Sequence, residues 1–280
     1  MPLFELYDET LDINSTENYR LAVQLSPDDL SLSILDTLRN KFILIRSYEP
    51  ETGNRFDDTG MGEIISRDDF LLRRFKKIHI VTPSSKSILV PSPLYEDSHR
   101  DEYFRFNFHP DEGHIVMANK IQEPDASLLF TVPQSRLELI QSLFPGSNPV
   151  HHLEPLLQAV AGGRRSSYGN HVHVHLENEF FNMIVHDQNS LRFCNTFNYQ
   201  SLPDIQYYVF YVIKRLNIGQ DEVIYFSGKT EKYERMVQDF SRYARNIRYA
   251  EPSGNFTFSY VFTEMLRSKF FNLFMVLNCE

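Results

Sequence analysis

Tryptophan is absent from this sequence and cysteine is scarce, with Cys194 and Cys279 the only two in 280 residues. Two cysteines cannot build a disulfide framework, and no Cys-x-x-Cys spacing offers a metal clip. Neither cysteine has a neighbourhood suggesting an activated thiolate. Long hydrophobic runs are missing as well. No stretch approaches the ~18 consecutive apolar residues of a membrane span, and the opening residues MPLFELYDETLDINSTEN lack the basic and apolar regions of a signal peptide. The expected location is the cytoplasm, without membrane insertion. Positive charge is in deficit: 28 Lys and Arg face 37 Asp and Glu, a formal −9. Nucleic-acid binders draw much of their affinity from phosphate neutralisation, so no nucleic-acid partner is expected. A protein partner or self-association is.

Motifs are also short of their parts. No Gly-x-Ser-x-Gly nucleophile elbow occurs. Gly228-Lys229-Thr230 follows a strand pattern and precedes a helical one, as a P-loop does, but the glycine needed five residues earlier is Val223.

What is present is patterned. The length predicts two domains of about 100–150 residues, and 23 Phe and 15 Tyr supply their cores. Residues 1–18 read as an acidic, loosely held leader. Residues 20–48 alternate with period two and predict three strands: Leu21, Val23 and Leu25 share one face, then Leu30, Leu32 and Ile34, then a run from Phe42 to Tyr48. Ser26-Pro27-Asp28-Asp29 forms the first turn. Residues 49–64 predict a polar surface loop, with a binding loop as the functional alternative. A helix is expected over 66–76, strands at 78–82, 103–108, 114–118 and 127–132, and helices over Gln134–Leu143 and His152–Val160. Gly162-Gly163, followed by Arg164-Arg165-Ser166-Ser167, marks the domain boundary, giving domains 1–163 and 164–280.

Three further strands are expected within 171–199. They are followed by a helix over 204–216, apolar nearly all round and so expected to be buried on more than one side, and a strand at 222–226. A helix from Glu231 to Ala244, a strand at 247–250, and a Phe-rich tail of strand then helix complete the chain. Residues 171–199 echo residues 20–48 at an offset of 151 without a gap: Val23 meets Val174, Leu25 meets Leu176, Asp36 meets Asp187, Phe42 meets Phe193 and Tyr48 meets Tyr199. Three strands, a helix and a strand, twice over, predict an α/β protein of two ribonuclease-H-like domains in an actin-like ATPase arrangement.

On that duplicated unit and the strand-helix-strand run at 204–250, the chain resembles an uncharacterised bacterial family with an actin-like ATPase fold, distantly similar to actin-type pilus-assembly proteins. The resemblance implies a phosphate-gripping acid-x-Gly-Ser/Thr pattern in the first turn of each unit. The matching turns, Leu25–Asp29 and Leu176–Glu179, hold no glycine, and Pro27 lacks an amide donor. Ser227-Gly228 falls where such a fold places a nucleoside-contacting turn.

Three readings stay open. The preferred one is a non-enzymatic scaffold or regulatory protein with degenerate nucleotide turns and no cofactor. The second is a binder of ATP and magnesium in the interdomain cleft, using Ser227 and Gly228. The third is a metal-dependent hydrolase: His171, His173 and His175 share one face of a strand, and His-x-His on a strand is a metal-ligand spacing. Against it, the matching positions Arg20, Ala22 and Gln24 cannot ligate, and the alternative is a polar strand face. Nuclease chemistry needs carboxylates on the first and fourth strands, and neither 19–25 nor 78–82 has one. Asp36 and Asp187 are expected to serve local turn hydrogen bonds.

Overall fold

The computed structural model describes residues 2–51, 54–163, 169–229, 239–241 and 244–278. The first half runs Phe4–Tyr7 (β1), Tyr19–Leu25 (β2), Leu30–Asp36 (β3), Lys41–Tyr48 (β4), Asp58–Ser66 (α1) and Lys77–Thr82 (β5). An inserted block follows: Ser87–Pro91 (β6), Arg100–Asn107 (α2), His114–Ile121 (β7) and Ala126–Pro133 (β8), a small sheet of order β6-β8-β7. Gln134–Leu143 (α3), Pro149–His151 (β9) and Leu153–Gly163 (α4) complete this half. The second half runs His171–Leu176 (β10), Phe180–His186 (β11), Leu191–Asn198 (β12), Leu202–Arg215 (α5), Val223–Gly228 (β13) and Asn246–Tyr249 (β14). The tail contributes Thr257–Phe258 (β15) and two short helices, Glu264–Lys269 (α6) and Phe271–Met275 (α7).

The large sheets share one plan. The first is ordered β1-β4-β3-β2-β5-β9, with β15 also against β4; the second is β12-β11-β10-β13-β14. Each has three antiparallel strands followed by two parallel ones. Each ladder slips at the same place, between Ile34 and Leu35 in one and Val185 and His186 in the other. The offset of 151 holds for the first two strands, where Val23 faces Leu32 and Val174 faces Met183. It fails for the third. Ile34 faces Leu44 while Val185 faces Phe193, so Leu44 and Phe193 correspond and the offset there is 149. The pairings of Phe42 with Phe193 and Tyr48 with Tyr199 are thus two residues out. The second turn is shorter, closed by the Asp187 amide on the Ser190 carbonyl at 3.1 Å. A slip of two residues keeps every side chain on its own face, so the hydrophobic pattern conceals it.

Four expectations are corrected. Residues 4–7 of the supposed leader form β1, and Asp8 is buried, its carboxylate 2.6 Å from the Lys41 ammonium. The helix expected at 66–76 lies earlier, at α1, inside the predicted loop. Asp57 caps it by accepting from the Gly60 amide at 2.7 Å, and Gly62 faces the Leu139 side chain of α3. The expected strand at 103–108 is helix α2. Phe104, Phe106 and Phe108 suggested period two, but only Phe104 is core and Phe106 is 91% exposed, while Asp101 and Glu102 suit a helical first turn. Helix α5, expected to be buried on more than one side, buries the single stripe Ile205, Val209 and Val212 and leaves Tyr207 and Tyr211 exposed. The helix expected over Glu231–Ala244 lies mostly outside the described residues, as do Arg164–Ser167, Thr230 and Cys279.

The tail lies between the sheets. Leu273 and Phe274 pack with Ala22, Phe42 and Val81 of the first sheet, while Phe271 and Met275 pack with Leu153, Leu156 and Ile184 on the side of the second. Ser33 donates to the Leu273 carbonyl at 3.1 Å, and Ser268 to the Phe226 carbonyl at 2.9 Å. The tail therefore fixes the spacing of the two halves at the cleft.

Candidate functional site

The β2–β3 and β10–β11 turns, which the resemblance marks for phosphate, are joined here by side chains of opposite charge. The Lys229 ammonium, just beyond β13, lies 3.0 Å from Asp29 of the first turn. Farther out, Arg55 pairs with Glu179 of the second turn and lies 3.5 Å from Asp28. The space left among Gln24, Asp29, His175, Glu177, Lys229 and Asn272 is about 10 Å³, which is room for a single water. One amide of each turn closes its own hairpin: Ser26 N–H donates to the Asp29 carbonyl and Glu177 N–H to the Phe180 carbonyl.

Gly228 is needed for close approach. Its φ is +86°, and a Cβ there would sit 2.2 Å from the Leu176 carbonyl oxygen. The following amide, Lys229 N–H, donates to that same carbonyl at 2.7 Å. The Ser227-Gly228 turn is thus docked on the second sheet's own hairpin.

Ser227 lies opposite His175 in the parallel pairing of β10 and β13. Its Oγ is 2.7 Å from His173 Nε2 and 2.7 Å from His175 Nδ1, so the nucleotide candidate and two of the three metal candidates meet at one atom. The far nitrogen of His175 lies 3.0 Å from Asn272 Nδ2 and 3.4 Å from Glu177. His171 stands apart, its half-buried ring stacked on Tyr225 at 5.3 Å. Among the described residues no group of three or more His, Cys, Asp and Glu is placed to hold a metal ion.

Burial governs the electrostatics. It pushes His173 and His175 down to about 3, helped by the neighbouring His175 and His171 for the first and by Lys229 for the second, so both imidazoles are neutral. Burial raises Glu177 to about 7 against the pull of Lys229. The Lys229 ammonium also suffers from burial, but Asp29 and Glu177 outweigh it and hold its pKa above the ordinary lysine value. A serine hydroxyl between neutral imidazoles has the elements of a nucleophile and base. Ser227, however, is fully buried beside a cavity of one water's size, with no room for an acyl or phosphoryl substrate. Asp36 and Asp187 accept from the amides two and three residues on, the expected turn bonds.

Sequence reasoning saw the acids of both turns but missed the cation between them. Lys229 was set aside with the incomplete P-loop. Asn272 gave no signal at all, since it reaches His175 from 97 residues away.

The chain belongs to the family described as "Protein of unknown function (DUF3822)", whose model matches residues 8–247. No curated protein matches it. A solved structure from Bacteroides thetaiotaomicron, described as having an actin-like ATPase fold and unknown function, is similar at a TM-score of 0.77 with 19% identity, over 86% of this chain and 94% of that one. A chain of the PilM-PilN type IV pilus biogenesis complex is similar at a TM-score of 0.60 with 13% identity, over 93% of this chain and 98% of that one. The fold is accordingly α/β, of the actin-like ATPase type with ribonuclease-H-like sheets. No helix among the described residues is long and apolar enough to cross a membrane.

Proposed function

We propose that this chain is a non-catalytic scaffold or regulatory protein on an actin-like frame, acting through a protein partner. The observation that carries the reading is the largely buried Lys229–Asp29 ion pair, which joins the turns that the resemblance marks for phosphate and leaves about 10 Å³ beside it. A nucleotide would have to break that pair and face the acids Asp28, Glu177 and Glu179, with the Ser26 and Glu177 amides already engaged. The likeness to a chain of the PilM-PilN complex supports assembly with a partner as the mode of action. The same reading includes a duplicated ancestral unit, supported by matching sheet orders and ladder slips. It also includes the division near residue 163 and a cytoplasmic location, the latter supported by the scarcity of cysteine.

Titration calorimetry with ATP and magnesium tests it. No measurable heat at tens of micromolar protein is expected; micromolar binding accompanied by phosphate release overturns the reading in favour of the nucleotide-binding alternative.

A further inference from the structure

The two sheets differ at one edge. On the first, β1 runs antiparallel along Leu44–Ser47, with Leu6 opposite Ile45 and Phe4 opposite Ser47, and β15 covers Lys41–Phe42. With the third strand's offset of 149, Leu44–Ser47 corresponds to Phe193–Thr196 of β12. Among the described residues β12 pairs only with β11, and no strand covers its outer side. A groove of about 420 Å³ is lined by Cys194, Asn195 and Thr196 of β12 together with Ser87–Pro91 of β6. Leu89, Leu128, Leu153 and Phe106 of α2, the last 91% exposed, also line it.

An uncovered edge strand invites pairing with another chain, and proteins usually blunt it with lysine, proline or an inward charge. Phe193–Thr196 has none of these, and none of the residues lining the groove is charged, in a chain that is 23% charged overall.

We propose that Phe193–Thr196 of β12 receives an extended segment of a partner protein, antiparallel, adding a strand to the second sheet as β1 adds one to the first. The register sets the segment's chemistry. Side chains directly opposite across an antiparallel pair lie on the same face. Phe4 and Leu6 turn into the tail cluster next to the first sheet. The residues facing Cys194 and Thr196 turn into the groove, so the partner carries apolar side chains two positions apart. A charge at either position would be stripped of water with no counter-charge in the lining. Main-chain bonds to the edge supply affinity, and the groove selects the side chains.

This surface supplies the partner that the scaffold reading calls for, and it rests on that reading for its biological role. The test uses the full chain to pan a displayed library of random dodecapeptides. An enriched peptide is then labelled for fluorescence anisotropy. The expected result is a sequence with apolar residues at i and i+2, binding at least tenfold more weakly to Asn195→Lys and to Phe106→Ala. Both substitutions are at exposed positions and leave the fold intact. Hydrogen exchange at Phe193–Thr196 should slow in the complex. Failure to enrich any such peptide, binding indifferent to Asn195→Lys, or protection confined elsewhere overturns the site. So does light scattering that shows a dimer with β12 already protected, because the occupant is then a second copy. ATP binding alongside peptide capture overturns the scaffold reading alone; lack of both ATP binding and peptide capture overturns the docking site alone.

Discussion

Replacing Lys229 with methionine keeps the length of the side chain and removes its charge. The Lys229 side chain is 14% exposed and that of Asp29 2% exposed, so the pair is largely buried. Removing one partner of a buried pair costs about 3–5 kcal/mol, because the other charge is left uncompensated. Two features place the expected loss near the lower end. Asp29 keeps the Ser31 hydroxyl at 2.7 Å, and Glu177 takes up a proton readily, being raised to about 7. The sign of the pH effect follows from Glu177. Its folded pKa lies above the ordinary glutamate value of about 4.5, so its stabilising contribution is full below about 4.5 and is lost as pH rises through about 7. Lys229 holds that pKa down, and its removal lets it rise further. The loss should therefore be about 3 kcal/mol at pH 6 and grow above pH 7 by up to about 1.4 kcal/mol per pH unit. Urea unfolding followed by circular dichroism at pH 6 and pH 8 measures both quantities. The double variant with Asp29→Asn should lose less than the sum of the two single variants. A loss below 1 kcal/mol that is flat with pH would mean that the cleft is hydrated and open, and the account of a self-filled site would fail.

Two further outcomes follow from the same residues. The imidazoles of His173 and His175 should hold constant NMR shifts from pH 8 to pH 5. Their folded pKa values are depressed to about 3, so the stability they confer is present above about 6.5 and lost as pH falls toward 3; titration of either near 6.5 refutes their burial. Gly228→Ala should cost at least about 2 kcal/mol, since a φ of +86° and a Cβ at 2.2 Å from the Leu176 carbonyl are both unfavourable. A thermal unfolding curve unchanged from that of the parent chain sinks that reasoning.

The β-rich units were legible because their side chains alternate with a strict period of two, and because Leu, Val and Ile fall on buried positions in both copies. Helix α3 was read to the residue, with Leu137, Ile140 and Leu143 at helical spacing. Helices α1 and α2 were misread because their decisive features are local packing and capping. Gly62 looked like a loop residue until Leu139 was seen against it, and three alternate phenylalanines imitate a strand. The third-strand slip was invisible because two residues restore the same face.

The sequence alone determined the architecture, twice the same strand order, since hydrophobic period and turn composition act over a few residues and are written locally. It also determined that the phosphate turns lack glycine. Tertiary structure decided what occupies the cleft instead. Lys229 reaches Asp29 across 200 positions of sequence, and Asn272 reaches His175 because the tail threads between the sheets. It also decided that one sheet edge is covered by β1 while, among the described residues, no strand covers its counterpart. Such contacts depend on which segments the folded chain brings together, and no local pattern records them.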